Sequence, residues 1–254
     1  MSNVLTIASR ELKAGFRTPL AWVICSGFLL LAGFFFYGRV QWFNAALQQS
    51  ALLSGKTPTL NEHVVAPYFQ TIEIILIFLI PVLTMRAIAE ERRSGTFEMM
   101  ITSPVGIMEL VLGKFLGIAG IVLVMLSTSF IFPLALGSFA ALEMPPILVG
   151  LLGLFLFTLC FVSLGIAVSA CTSSQTVAGV VSVVLSLGLY AINLPASSLG
   201  GVGSDILDYV SPPLHSLNFY RGVIDSADII YFISVIAVGL FFSARVLEGA
   251  RWRQ

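Results

Sequence analysis

Charge is what this sequence has least of. Lysine, arginine, aspartate and glutamate make up 10% of its 254 residues, against 57% apolar residues; a soluble domain carries about 25% charge. From Met144 to Ser204 there is no charged side chain. That composition excludes an ordinary water-soluble domain and points to apolar segments of about 20 residues, the length that crosses a bilayer. Cysteine is sparse and odd in number, at Cys25, Cys160 and Cys171. All three lie in or at the ends of apolar runs without metal-like spacing, which argues against a disulfide framework or a zinc site. Histidine occurs only at His63 and His215. Both fall in expected outer loops without ligand-spaced partners, and both read as solvated.

Chemistry-bearing constellations are missing too. No nucleophile–base pair is visible, so the chain is not read as an enzyme, and no cofactor or metal is expected in it. Ser54-Gly55-Lys56-Thr57 looks like the tail of a phosphate-binding loop, but Ser50 stands where the first glycine belongs and no strand precedes it. Basic and acidic residues balance at 13 each, which removes any global attraction to nucleic acid.

What is present is a series of apolar runs. They predict an all-α membrane protein, a single transmembrane domain over 1–254. Its six spans fall at about 19–38, 68–89, 109–137, 146–170, 176–194 and 227–244. A polar loop fills 39–67, and Pro81 is expected to kink the second span. The turn between the fourth and fifth spans is Cys171 to Gln175. Residues 1–18 predict an interfacial helix with Leu5, Ala8, Leu12 and Phe16 on one face. Arg10, Lys13 and Arg17 lie on a flank, suited to anionic membrane lipid; a solvated helix is the alternative.

Residues 195–226 carry turn signals at Gly200-Gly201 and Pro212-Pro213. Short half-polar pieces there can form helices that dip into the outer leaflet, or a plain surface loop. Arg221 and Asp225 stand at i, i+4 and are expected to pair. Gly113 and Gly117 have the spacing that lets another helix approach closely.

Glu73 is the one carboxylate inside the apolar part of the second span. An ionisable residue in a membrane is a functional candidate by default. It lies only about six residues, roughly 9 Å along a helix, from Pro67, so reaching the outer headgroups is the simpler reading.

Six spans place both termini on one side. Arg10, Lys13, Arg17, Arg86, Arg92, Arg93, Lys114, Arg245, Arg251 and Arg253 share that side; Arg39, Lys56 and Arg221 take the other. The excess of positive charge assigns the first side to the cytoplasm. Trp22, Trp42 and Trp252 stand near expected boundaries, as interfacial anchoring favours.

The one densely charged interior stretch runs from Arg86 to Gly117. Glu90, Glu91, Arg92 and Arg93 follow the second span, and Ser94-Gly95 allows a sharp turn. Thr96, Phe97, Glu98, Met99, Met100 and Ile101 form a piece too short to span anything. Ser103-Pro104 supplies a cap and a first-turn proline. The pattern predicts a short surface helix within a coupling segment at 90–108, then a helix through Gly113 and Lys114. A generic charged loop is the plainer alternative.

Taken in order, EERRSGTFEMMITSPV and LGKFLG resemble the cytoplasmic coupling segment of ABC-2 type transporter permeases, especially the gliding-motility-type branch. HSLNFYRGVIDSADIIYF resembles the same branch. The resemblance implies a type V exporter-like fold with external re-entrant helices at 195–226. It implies a separate ATPase subunit, holding ATP and magnesium, that receives Glu90, Glu91, Arg92, Arg93, Gly95, Thr96, Phe97, Glu98, Met99, Met100, Ser103 and Pro104. It further implies a second permease copy or paralogue, met through spans including the second and fifth. Accessory periplasmic or membrane subunits and a place in the bacterial inner membrane also follow.

Spans one, four, five and six lack interior ionisable residues, which agrees with energy arriving from outside the chain. Two rivals stay open: a self-sufficient carrier or channel using Glu73, and a non-transporting anchor of a surface or motility machine.

Overall fold

In lipid a backbone must satisfy its own hydrogen bonds, and a helix does so within one segment. The computed structural model is helical throughout, with no strand among the described residues, which are 3–53, 59–95, 106–137, 144–195 and 201–251. In order the helices are α1 (Asn3–Arg17), α2 (Pro19–Leu53), a π-helical turn (Asn61–Val65) leading into α3 (Ala66–Thr84), and α4 (Ala89–Arg93). Then come α5 (Ile107–Ser129), α6 (Ile131–Gly137), α7 (Met144–Cys171), α8 (Gln175–Tyr190), α9 (Val202–Val210), α10 (Pro212–Tyr220) and α11 (Ser226–Arg251). Five stretches among the described residues are long and apolar enough to cross a membrane. The 16 residues of α8 reach about 24 Å, short of the roughly 30 Å hydrocarbon core.

Contacts fix the direction of each pass. Gly150 of α7 faces Phe69 of α3, and Gly165 faces Thr84, so these two helices run parallel. Helix α5 opposes them: Lys114 near its start meets Glu91, while the Tyr68 hydroxyl donates to the Ser129 carbonyl at its end. Helix α11 begins beside α10, through Phe219 and Phe232, and passes Ser163 of α7 at Gly239. One end of the bundle therefore gathers α1, α4, the starts of α2 and α5, and the end of α11. The far end holds Leu47, Pro146, α9 and α10.

Three expectations change. The first span does not stop at Gly38, because α2 continues to Leu53 over 35 residues, about 52 Å of helix. No glycine or proline interrupts Arg39 to Leu53, and alanine, leucine and glutamine favour helix there. Much of the expected 39–67 loop is therefore helical. Arg39, assigned to that loop, donates to the Thr71 hydroxyl at 3.4 Å.

The N-terminal helix keeps Ala8, Leu12 and Phe16 of the expected face inward, but not Leu5. Leu5 is exposed. Ile7 and Glu11 join Ala8 and Leu12 on a groove of Gly113, Gly117 and Gly120. The helix invited by the small-residue spacing is thus the chain's own N-terminal one, running parallel to α5.

The expected Arg221–Asp225 pair is absent among the described residues. Helix α10 ends at Tyr220, so i, i+4 geometry does not apply beyond it. Asp225 accepts from the Ala227 backbone N–H at 2.9 Å. Gly222, at φ +80, makes the turn against Pro146.

Candidate functional site at the Lys114 end

Lys114 stands two turns into α5 in apolar surroundings. Its side chain is 3% exposed, and an ammonium so placed needs partners. It has two: Glu11 Oε1 at 2.9 Å and Glu91 Oε1 at 2.7 Å. The three charges come from α1, α4 and α5, so one cation ties the N-terminal helix, the start of the coupling segment and the third span together. The cluster faces a cavity of about 310 Å³, also lined by Arg86, Glu90, Ala21 and Gly117.

A second tie holds the same segment to α7. Chain geometry breaks after Thr84, with a turn through 85–88 before α4. The N–H groups of Ile88 and Ala89 are both accepted by Ser169 Oγ at 3.1 Å. The Ser169 hydroxyl donates in turn to the Met85 carbonyl at 3.3 Å. Gly165, one turn earlier, leaves room for Thr84. Ser169→Ala is expected to leave two buried N–H groups without acceptors and to cost about 2 kcal/mol. A lowered melting temperature in detergent checks this; a melt equal to the parent's counts against the tie.

Among the resemblance residues, Glu90, Arg93, Ser94 and Gly95 are exposed, and Glu91 and Arg92 are half-buried. Gly95 has φ +73, the left-handed conformation in which glycine ends a helix without strain. Thr96, Phe97, Glu98, Met99, Met100, Ser103 and Pro104 lie outside the described residues, as does the Ser54–Thr57 stretch. Helix α5 opens at Ile107, where the Glu109 carboxylate accepts from the Gly106 N–H at 3.2 Å and from Asn3 Nδ2 at 3.0 Å. That is a second fastening of α1 to the coupling end.

Glu73 does not reach the headgroups. It is 1% exposed and accepts from the Tyr220 hydroxyl at 2.6 Å. Distance along the helix was the wrong measure, because the face decides. Glu73 shares the inward side of α3 with Phe69, Ile72, Leu76 and Ile80, while Ile74 and Phe78 point outward. Here the carboxylate joins α3 to α10, far from Lys114.

His215 is not solvated either. It stacks on Tyr231 at 3.9 Å between ring centroids, with Nδ1 2.6 Å from Asp228 and Nε2 2.8 Å from the Tyr209 carbonyl. Since a carbonyl can only accept, Nε2 carries a proton. Asp228 also accepts from Asn218, so α9, α10 and α11 are bound together. His63 lies along the ring of Trp42.

An all-helical bundle with several membrane-crossing helices defines a multi-pass membrane protein. A family description, ABC-2 family transporter protein, matches residues 5–219, and the chain belongs to that family. No curated protein matches the chain. Members of such a permease family are membrane transport components rather than catalysts.

Sequence reasoning placed Lys114 by its charge but missed its partners. Glu11 was readable only as the acid on an otherwise apolar helix face. Ser169 left no signal, since serine inside a span is common.

Proposed function

We propose that the chain is the membrane-spanning permease subunit of an ATP-driven ABC-2 transporter, exporting cargo across the bacterial inner membrane. A separate ATPase subunit binds ATP and magnesium and presses on the 90–108 segment. The observation that carries this reading is the joint at Lys114. A push on the segment after Glu91 reaches α1 and α5 through one buried cation, and reaches α7 through Ser169. A segment wired to several membrane helices suits transmission better than a passive loop does. The chain's termini share the Lys114 end, and with the excess of cations there the proposal places that end in the cytoplasm.

A second permease copy or paralogue completes the path. Helix α8 turns Val177, Val180 and Val184 outward, and α3 adds Ile74 and Phe78. These apolar faces of the fifth and second spans support the pairing implied by the resemblance. A link to gliding motility, and accessory periplasmic or membrane subunits, belong to the same proposal.

Phe97 and Met100 supply the apolar part of the ATPase contact. Replacing both by aspartate is expected to abolish recovery of the ATPase in pull-down while membrane insertion stays intact. Undiminished recovery would remove the proposed docking residues. The carrier reading loses support at Glu73, which is closed in by Tyr220.

A further inference from the structure

The far end of the bundle holds a cavity of about 930 Å³, within the range of small-molecule sites. Its walls come from elements remote in sequence. Phe43 and Leu47 belong to α2, Leu60 and Pro67 to the entry of α3, and Leu217 to α10. These make an apolar body. The polar groups are few: Thr59, Asn61, Gln70, and one charge of each sign, Arg221 and Glu62, besides the Tyr220 hydroxyl.

Neither charge is used up by the fold. Among the described residues Arg221 forms no ion pair, and a guanidinium carries five donors. Glu62 accepts one hydrogen bond, from the Thr59 hydroxyl at 3.0 Å, and a carboxylate has room for several. The floor is fixed. Tyr220 lines the cavity while its hydroxyl is held by the buried Glu73, so the ring is set before any ligand arrives.

We propose that this cavity binds a zwitterionic amphiphile. Its acidic group meets Arg221, its ammonium meets Glu62, and its apolar body lies against Phe43, Leu47 and Leu217. A wholly apolar ligand would strip water from two charges without replacing it. A small zwitterion with no tail would leave the apolar walls wet. A purely anionic amphiphile would satisfy Arg221 and be repelled by Glu62. One molecule carrying both charges and an apolar body answers both kinds of wall.

The test uses the whole purified chain in detergent, with no ATPase and no nucleotide, titrated by native mass spectrometry. Three probes separate the sources of affinity: lysophosphatidylethanolamine, lysophosphatidylglycerol with the same tail, and glycerophosphoethanolamine as the head alone. The first is expected to bind best and the last not at all. Arg221→Gln weakens both lipids about tenfold, the loss of a charge-assisted contact. Glu62→Gln weakens only the ethanolamine lipid and erases the difference between the two. Leu217→Trp fills the cavity from α10, and Leu47→Trp fills it from α2, so a folding defect in one leaves the other. Full binding in either folded tryptophan variant overturns the site. Selectivity that survives Glu62→Gln overturns the zwitterionic assignment, and tight binding of the head alone overturns the amphiphile. Because no partner is present, each of these results is independent of the ATP-coupled reading.

Discussion

Lys114→Met is expected to destabilise the chain by about 3 kcal/mol or more, the usual penalty for removing one member of a buried ion pair, and, under the proposed ATP-driven function, to uncouple the permease from its ATPase. The substitution keeps most of the side chain's bulk and deletes the charge. Glu11 and Glu91 then face each other across the space the ammonium occupied, without the cation that offsets their mutual repulsion. The expected readings are a lowered melting temperature in detergent and an ATPase rate in the assembled complex that no longer responds to cargo. A second variant separates stability from transmission. Combining Lys114→Met with Glu11→Gln and Glu91→Gln removes all three charges and is expected to recover most of the melting temperature. Coupling should stay lost, because the tie among α1, α4 and α5 has gone. If the triple variant couples normally, the joint is structural and transmits nothing.

The second large effect is expected at Gly117. A Cβ there would sit 2.5 Å from Glu11 Cβ and 3.3 Å from the Ala8 carbonyl. Neither can yield without moving α1 as a body. Gly117→Leu should therefore expel the N-terminal helix from its groove. The packing cost is typically about 1–3 kcal/mol, to which loss of the Glu11–Lys114 contact adds. A cysteine introduced at Ile7 should become reactive to a water-soluble maleimide in the variant and stay protected without it. Gly27 supplies the control, since nothing lies within 4 Å of its added Cβ. Gly27→Leu should change neither stability nor labelling. Equal protection of position 7 in both variants would show that the groove does not hold the helix.

The helical class and the membrane setting were legible from composition and charge order. They depend on segment length and on where water must be, and both are written along the chain. The faces of the spans were not legible. Spans such as α3 and α7 are apolar all round, so no polar side marks which way Glu73 or Ser169 points. The long α2 was cut short because Arg39 and the polar run at Gln48 and Gln49 resemble a loop when only hydropathy is read, although glutamine and arginine continue a helix readily. The amphipathic α1 was legible in Ala8, Leu12 and Phe16, but the glycine groove on α5 draws in Ile7 and Glu11 and leaves Leu5 out. Glu11 and Lys114 are 103 positions apart, beyond the reach of any local pattern.

A straight run of 35 residues extends about 52 Å, and the oily slab is only about 30 Å thick. Hiding α2 within that slab would take a tilt of about 55°, beyond the roughly 0–40° that membrane helices adopt. Its excess length therefore lies among the headgroups or beyond them, with Trp42 and His63 stacked at its side. Whatever approaches the molecule from that side meets a helix end level with the headgroups, not a bare lipid surface.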